Sequence, residues 1–333
     1  MNLRTTFNID PSPFRITCND SVMFIGSCFA SSMGEQMERG KMSVMVNPAG
    51  TVYNPVSVCN TLDDVTSGKV YRKEDLHYHD GMWLSFSHYT EFSSEDPGKT
   101  LEKINNRLKE ASLFLKKSGF LFITLGTARI YRWRKTGQIV SNCHKIPSAE
   151  FSHELLTADE IVGLWTEQLD RLSTLFPNLK VVFTISPVRH LKDGAHGNQV
   201  SKSVLFLAVE ELLGHPFAPQ YFPAYELLMD DLRDYRFYND DMIHPSGSAI
   251  NYIWEAFSRC YLDDAALQIW KEALKITKAR EHRFNTDSDS GKREFAGKML
   301  KHISDLEKKV PSIDFSGEKG YFKIMLNDQK LND

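Results

Sequence analysis

Two short apolar runs, FLFITL at residues 120–125 and VVFTI at 181–185, restrict what this chain can fold into more than any other feature. Neither alternates polar with apolar residues, so each reads as a strand covered on both faces, as in a parallel sheet between helix layers. A third run, VMFI at 22–25, precedes them. Helical periodicity fills the intervals. Phe29, Met33 and Met37 mark one face of a helix from Cys28 to Arg39, with Gly40 as its expected cap. Leu101, Ile104, Leu108, Ala111 and Leu115 mark a second helix, expected to end at Gly119. Thr157 and Glu160 form a capping box ahead of a stripe of Ile161, Trp165, Leu169, Leu172 and Phe176. A further helix is expected over about 199–213 and an edge strand around 221–225, where Pro223 bars a central position. The predicted fold class is α/β, a three-layer α/β/α sandwich about a central parallel sheet.

Two stretches interrupt this rhythm. Residues 66–98 are polar and aromatic, with Asp80-Gly81 between HYH and MWLSFSH. They are expected to form a hairpin insertion bordering the functional cleft. REHRFNTDSDSGK at 280–292 has no apolar face and reads as a linker to a C-terminal helix near 295–306. The expected division is a catalytic domain over 1–270 and a helical extension over 271–333. With 41% hydrophobic residues in 333, a sizeable core is available. The formal net charge of −3 reflects no general excess of Lys and Arg, so no nucleic-acid partner is expected. No apolar run approaches the length of a membrane span, and no apolar segment follows the initial MNLRTTFNIDPSPF. The five cysteines, Cys18, Cys28, Cys59, Cys143 and Cys260, are odd in number and widely spaced, which argues against a disulfide framework and against a zinc site. A cytoplasmic location with reduced thiols is the expectation.

The segment FIGSCFA at 24–30 carries the first chemical signal. A buried strand ends, Gly26 permits a tight turn, and Ser27 opens a helix. Sites in parallel sheets gather at the carboxyl ends of strands, and free N–H groups at a helix start favour a developing oxyanion. The same position suits an ordinary N-cap serine. The second signal is NDDMIHPSGSAINYIWEAF at 239–257. An Asp three residues before a His can accept the imidazole Nδ1–H and leave Nε2 to take a proton, although that spacing also suits a contact that only fixes a turn. Together these segments nominate Ser27 as nucleophile, His244 as general base and Asp241 as its orienting carboxylate. Cys28 is a possible thiolate at the same helix start, but its expected place is within the helix packing. His77, His79 and Asp80 have spacing open to a metal, yet an exposed hairpin is the preferred reading, and neither metal nor organic cofactor is expected. Arg189 and His190 follow the fourth strand on the side of the site and suit an anionic substrate group or, equally, a solvated loop. Lys202 starts a helix, where a cation opposes the dipole, which favours a binding role. His144 and Lys145 adjoin Asn142.

The string GSCFA at a strand end resembles the hallmark of the GSCFA domain family, which lies near the SGNH (GDSL-like) hydrolases. LGTARIY (125–131), SNCHK (141–145), SPVRHLKDG (186–194), NQVSK (198–202), YFPAYE (221–226) and DYRFYNDDMIHPS (234–246) extend the resemblance over roughly residues 20–260. It implies an SGNH/flavodoxin-like sandwich, with Ser27 as the first-block serine and Asp241 and His244 as the closing pair. Gly50 in NPAGTVYNP is the choice for the second-block glycine. Where the related hydrolases carry Gly-x-Asn-Asp this chain has LGTA, so Gly126 is present and the asparagine is missing. Asn142 is the first candidate to replace it as an oxyanion donor, and Asn54 the second. The resemblance implies a serine hydrolase acting on an ester or acyl group of a small molecule or carbohydrate. One alternative is an acyltransferase of polysaccharide modification with the same residues, its phosphate-bearing donor held by Arg189, His190 and Lys202. The other is a carbohydrate- or partner-binding module that contacts its ligand through Trp83, Phe86 and Tyr89.

Overall fold

A computed structural model describes residues 6–281 and 289–327. In chain order its elements are β1 (Ser21–Gly26), α1 (Cys28–Arg39), β2 (Ser43–Val46), α2 (Pro55–Ser67), β3 (His77–His79), β4 (Met82–Leu84), α3 (Pro97–Leu115) and β5 (Ser118–Leu125). Then come β6 (Arg129–Trp133), β7 (Ile139–Val140), β8 (Phe151–Leu155), α4 (Ala158–Leu175), β9 (Lys180–Ile185), α5 (Gly194–Leu212) and β10 (Gln220–Tyr221). The chain continues through α6 (Ala224–Glu226), a π-helix (Leu227–Leu232), α7 (Gly247–Tyr261), α8 (Asp264–Glu281), α9 (Asp289–Lys309) and α10 (Ser316–Asn327). Two compact units result. The first holds Ser21–Gly34 and Met45–Phe257, and the second Pro11–Asp20, Glu35–Val44 and the described residues from Ser258 onward.

The first unit is built on a five-stranded sheet in the order β10-β9-β5-β1-β2. The pairs β1–β5, β5–β9 and β9–β10 are parallel. Numbered along the chain, the five strands follow the 2-1-3-4-5 order of a doubly wound sheet, whose strand order reverses between β1 and β5. Successive side chains on a strand point to opposite faces, and both faces here are apolar. Met23, Ile25, Leu121, Ile123, Leu125, Val181, Phe183 and Ile185 meet the apolar stripes of α2, α3, α4 and α5. On the other face Phe24 stacks on Phe122 at 4.9 Å, and Phe257 of α7 lies over Phe122 at 5.0 Å. This two-sided burial is why the strands read as continuous apolar runs. The expected three-layer sandwich is the observed one.

Helix starts follow local chemistry. Thr157 and Glu160 close a capping box on α4. Asp96 caps α3 with Pro97 behind it, and Asn54 caps α2 with Pro55 in the same place. Some boundaries shift. Gly119 lies inside β5 rather than closing α3, and α5 begins at Gly194, five residues before the expected start. The expected 66–98 insertion is narrower as a hairpin: β3 and β4 pair about Asp80 and Gly81, both with positive φ (46° and 77°). The sequence reading missed a second sheet, β7-β6-β8, which closes a small separate core of Leu84, Phe86, Trp133, Val140, Ile146 and Phe151.

In the second unit α8, α9 and α10 bury Ala273, Ile276, Ala296, Ile303, Leu306, Phe315 and Phe322. The helix expected near 295–306 lies within α9. The proposed linker falls largely on 282–288, outside the described residues. Gly40 is not the left-handed cap, since the positive φ of 59° belongs to Lys41. A Cβ on Gly40 would stand 1.7 Å from Trp270 Cδ1, so close packing requires the glycine. Among the described residues no helix is long and apolar enough to cross a membrane, and no cluster of His, Cys, Asp and Glu is arranged to hold a metal ion.

Candidate functional site

The turn after β1 determines which side chain reaches the carboxyl ends of the strands. Gly26 has φ 140°, and a Cβ there would lie 2.1 Å from the Thr124 carbonyl oxygen. Its N–H donates to Asn47 Oδ1 at 2.8 Å, and its carbonyl accepts from Val52 N–H at 3.0 Å. Ser27 follows and is fully buried. Its N–H donates to Thr124 O at 3.1 Å, and its Oγ accepts from Phe29 N–H at 3.2 Å. Ser27 is therefore the N-cap of α1. It makes no hydrogen bond to His244 and does not line the cavity described next.

That cavity, of about 580 Å³, opens at the carboxyl ends of β1, β5 and β9, beside the reversal of strand order. Cys28, Tyr53, Asn54, Asn142, Arg189, His190 and His244 are among its lining residues. Of the two adjacent positions, Ser27 is buried as a cap, and Cys28 is partly exposed in the cleft rather than packed inside the helix as expected. Burial pushes the Cys28 thiol above its ordinary 9.0, while the N–H groups of Cys28 and Phe29 and the ammonium of Lys202 pull it down. Among the described residues no backbone carbonyl accepts the Cys28 N–H.

His244 and Asp241 meet as their spacing suggests. Nδ1 lies 2.6 Å from Asp241 Oδ2, and both side chains are about half exposed. Asp241 Oδ1 accepts from Ile243 N–H at 2.8 Å and from His244 N–H at 2.9 Å. Chiefly the backbone N–H of His244, then its side chain, hold the Asp241 carboxyl down at about 2. An ionised carboxylate only accepts, so Nδ1 carries the proton of a neutral His244 and Nε2 is left as its acceptor. Nε2 has no hydrogen-bond partner among the described residues.

The expected oxyanion residues fare unevenly. Gly50 does not line the cavity. Its N–H donates to Asn47 O at 2.8 Å, and its φ of 79° and the side chain of Tyr89 account for the glycine. Gly126 also lies off the cavity lining, with its N–H on Tyr53 O at 2.7 Å and its carbonyl taken by Lys202. Asn142 lines the cavity but gives Nδ2 to Thr90 Oγ1 at 3.2 Å and takes His144 N–H on Oδ1 at 2.9 Å. Asn54, the second choice, is better placed. Its Oδ1 caps α2 by accepting Ser57 N–H at 2.8 Å, while Nδ2 has no acceptor among the described residues. Tyr53, which the sequence did not single out, also lines the cavity, and burial pushes its hydroxyl up to about 12, so it keeps its proton.

The basic residues divide by role. Lys202 is fully buried off the cavity, its Nζ donating to Gly126 O at 2.7 Å and Ser186 O at 2.6 Å. It ties the ends of β5 and β9 together beneath the cleft, and burial lowers its value to about 7. His190 packs edge-on against Tyr53 at 5.7 Å. Burial, then Lys202 and His244, lower it to about 4, so it is neutral at physiological pH. Arg189 lines the cavity as a charge. Of the aromatic insertion, Tyr89 lines the cavity and Trp83 and Phe86 do not.

The GSCFA family model matches residues 21–257, and that of the GSCFA domain protein C-terminal domain matches residues 273–328. Among solved structures, one provisionally described as a platelet activating factor from Streptococcus pneumonia is similar at 10% identity and a TM-score of 0.38, over 72% of this chain and 83% of that one. One provisionally described as a GDSL-like lipase from Parabacteroides merdae ATCC 43184 is similar at 10% identity and a TM-score of 0.36, over 80% of this chain and 99% of that one. No curated protein matches the chain.

Proposed function

The chain belongs to the GSCFA family, and from the chemistry of its cleft we propose that it is an acyl hydrolase whose nucleophile is the Cys28 thiol. The observation that carries this reading is that Cys28 and the Asp241-bound His244 line one cavity while Ser27 does not. His244 Nε2 takes the thiol proton as sulfur attacks the acyl carbon. The leaving alcohol departs with that proton, and a thioester forms on Cys28. Water then attacks the thioester, giving its proton to His244, which returns it to the sulfur as the acid is released. Asp241 fixes the imidazole tautomer throughout. The Cys28 N–H, at the positive end of α1, and Asn54 Nδ2 are the donors available to the tetrahedral oxyanion.

The test is site-specific labelling followed by peptide mass spectrometry. Iodoacetamide should modify Cys28 faster than the other four cysteines, and His244→Ala should slow that modification. Ester turnover should be lost in Cys28→Ala and retained in Ser27→Ala. If a fluorophosphonate labels Ser27 while Cys28→Ala retains turnover, the thiol mechanism is wrong and the serine reading returns.

A further inference from the structure

Arg189 follows β9 by way of Pro187 and Val188 and lines two cavities at once. One is the Cys28 cleft. The other, also about 580 Å³, has Gln199, Phe206, Tyr225, Tyr235 and Tyr238 among its lining residues. A guanidinium is always charged and has five N–H donors in a planar fork. Among the described residues the Arg189 side chain has no ion-pair or hydrogen-bond partner, and its Nε is buried without an acceptor. Such a donor is costly to leave unmet.

The surrounding carboxylates do not meet it. Asp193 lies 3.5 Å from Arg129 and 3.5 Å from His153, and Asp241 is engaged by His244. Asp234 pairs with Arg236 at 2.9 Å. Glu226 accepts the Tyr221 hydroxyl at 2.9 Å, and burial favours its protonated form. Asp230 lines the second cavity but is exposed. The two cations expected to act with Arg189 are also removed from play: Lys202 is spent on two carbonyls beneath the cleft, and His190 is neutral.

We propose that Arg189 is the receptor for an anionic group of the substrate, a carboxylate or a phosphate, held at the boundary of the two cavities while the acyl carbon reaches Cys28. The proposal rests on Cys28 as the reactive group. A planar oxyanion accepts two parallel N–H bonds from the guanidinium fork, and charge-assisted bonds of that kind are the strong ones.

The test uses two alkylating probes of nearly equal size, iodoacetate as the anion and iodoacetamide as the neutral control, with Cys28 modification read by peptide mass spectrometry. Relative to free cysteine, the intact protein should favour iodoacetate. The iodoacetate-to-iodoacetamide rate ratio should fall about tenfold in Arg189→Gln and recover in part in Arg189→Lys. A second arm does not depend on the thiol. In Cys28→Ala protein at matched ionic strength, inorganic phosphate and succinate are compared for a rise in Tm that Arg189→Gln abolishes, and the effective anion distinguishes a phosphate from a carboxylate substrate. An unchanged rate ratio together with no Arg189-dependent thermal shift overturns the proposal. If iodoacetamide leaves Cys28 untouched while an anion still stabilises through Arg189, the nucleophile assignment fails and the anion site stands.

Discussion

Replacing Ser27 with alanine separates capping from catalysis, and the structure sets the size of both effects. The Ser27 Oγ makes one hydrogen bond, from Phe29 N–H at 3.2 Å, in a fully buried position. Alanine keeps the backbone bond from Ser27 N–H to Thr124 O, because that bond needs no side chain. What is lost is the cap. N-cap serine to alanine costs about 1 kcal/mol, and up to roughly 2 kcal/mol where the orphaned N–H stays away from water. For a protein of this size that corresponds to a fall in Tm of roughly 2–6 °C. The effect on chemistry should be small. With Cys28 as the nucleophile, turnover of p-nitrophenyl acetate should stay within about threefold of the parent, since no group facing the transition state has changed. A serine nucleophile would instead lose several powers of ten. Calorimetric melts run beside nitrophenolate release give both numbers on one preparation. A variant that melts within a degree of the parent yet has lost all turnover would refute the assignment of Ser27 to capping and of Cys28 to attack.

Asp241→Asn keeps an oxygen for the Ile243 and His244 N–H groups but turns an NH2 toward Nδ1, which moves the imidazole proton to Nε2. The iodoacetamide rate at Cys28 near neutral pH should fall by roughly 10²–10³, less than the ~10⁴ of a buried triad because solvent reaches this pair; an unchanged rate removes Asp241 from the mechanism. Gly26→Ala forces a Cβ to within 2.1 Å of a carbonyl oxygen at φ 140° and should cost on the order of 3–5 kcal/mol in denaturant melts. A loss below about 1 kcal/mol would show that the turn can relax. Lys202 has a folded-state value of about 7, below its ordinary 10.5, so the folded protein binds fewer protons than the unfolded chain across that interval. Its contribution to stability therefore falls as pH drops through about 7, and between pH 7 and 8 the parent should gain about 1 kcal/mol that Lys202→Met does not. Parallel pH curves for the two proteins would count against a titrating buried amine.

The fold was legible where a physical constraint acts on neighbouring residues. Strands β5 and β9 announced themselves because helices cover both of their faces, which leaves no polar positions to alternate. The α4 capping box was readable because Thr157 and Glu160 act on each other three residues apart. The β7-β6-β8 sheet was not, since its strands have five, two and five residues and its small core draws Leu84 and Phe86 from far upstream. Gly40 was misread for a similar reason: a glycine after a helix usually answers a backbone angle, but here it answers the ring of Trp270, 230 residues away in sequence.

The cleft and the Asp241–His244 contact were legible in the sequence, and the proposed nucleophile is the residue after the one the sequence nominated. Ser27 and Cys28 both bear nucleophilic atoms at a strand-to-helix turn, and nothing in the string GSCFA chooses between them. The proposed choice rests on the helix start. A capping serine must aim its only side-chain oxygen at the first turn, so at position 27 the oxygen that caps α1 is the one that would have to attack. The next residue has no such obligation, and its N–H is also left over by the helix. Asn54 shows the other side of this rule. An amide carries its acceptor and its donors on different atoms, so Asn54 can cap α2 through Oδ1 and still keep Nδ2 for an oxyanion. A hydroxyl must cap and react through one and the same atom, whereas an amide divides the two tasks between its oxygen and its nitrogen. Under the proposed mechanism that difference favours Cys28 as the nucleophile, with the loop after β2 supplying the donor that the loop after β5 lacks.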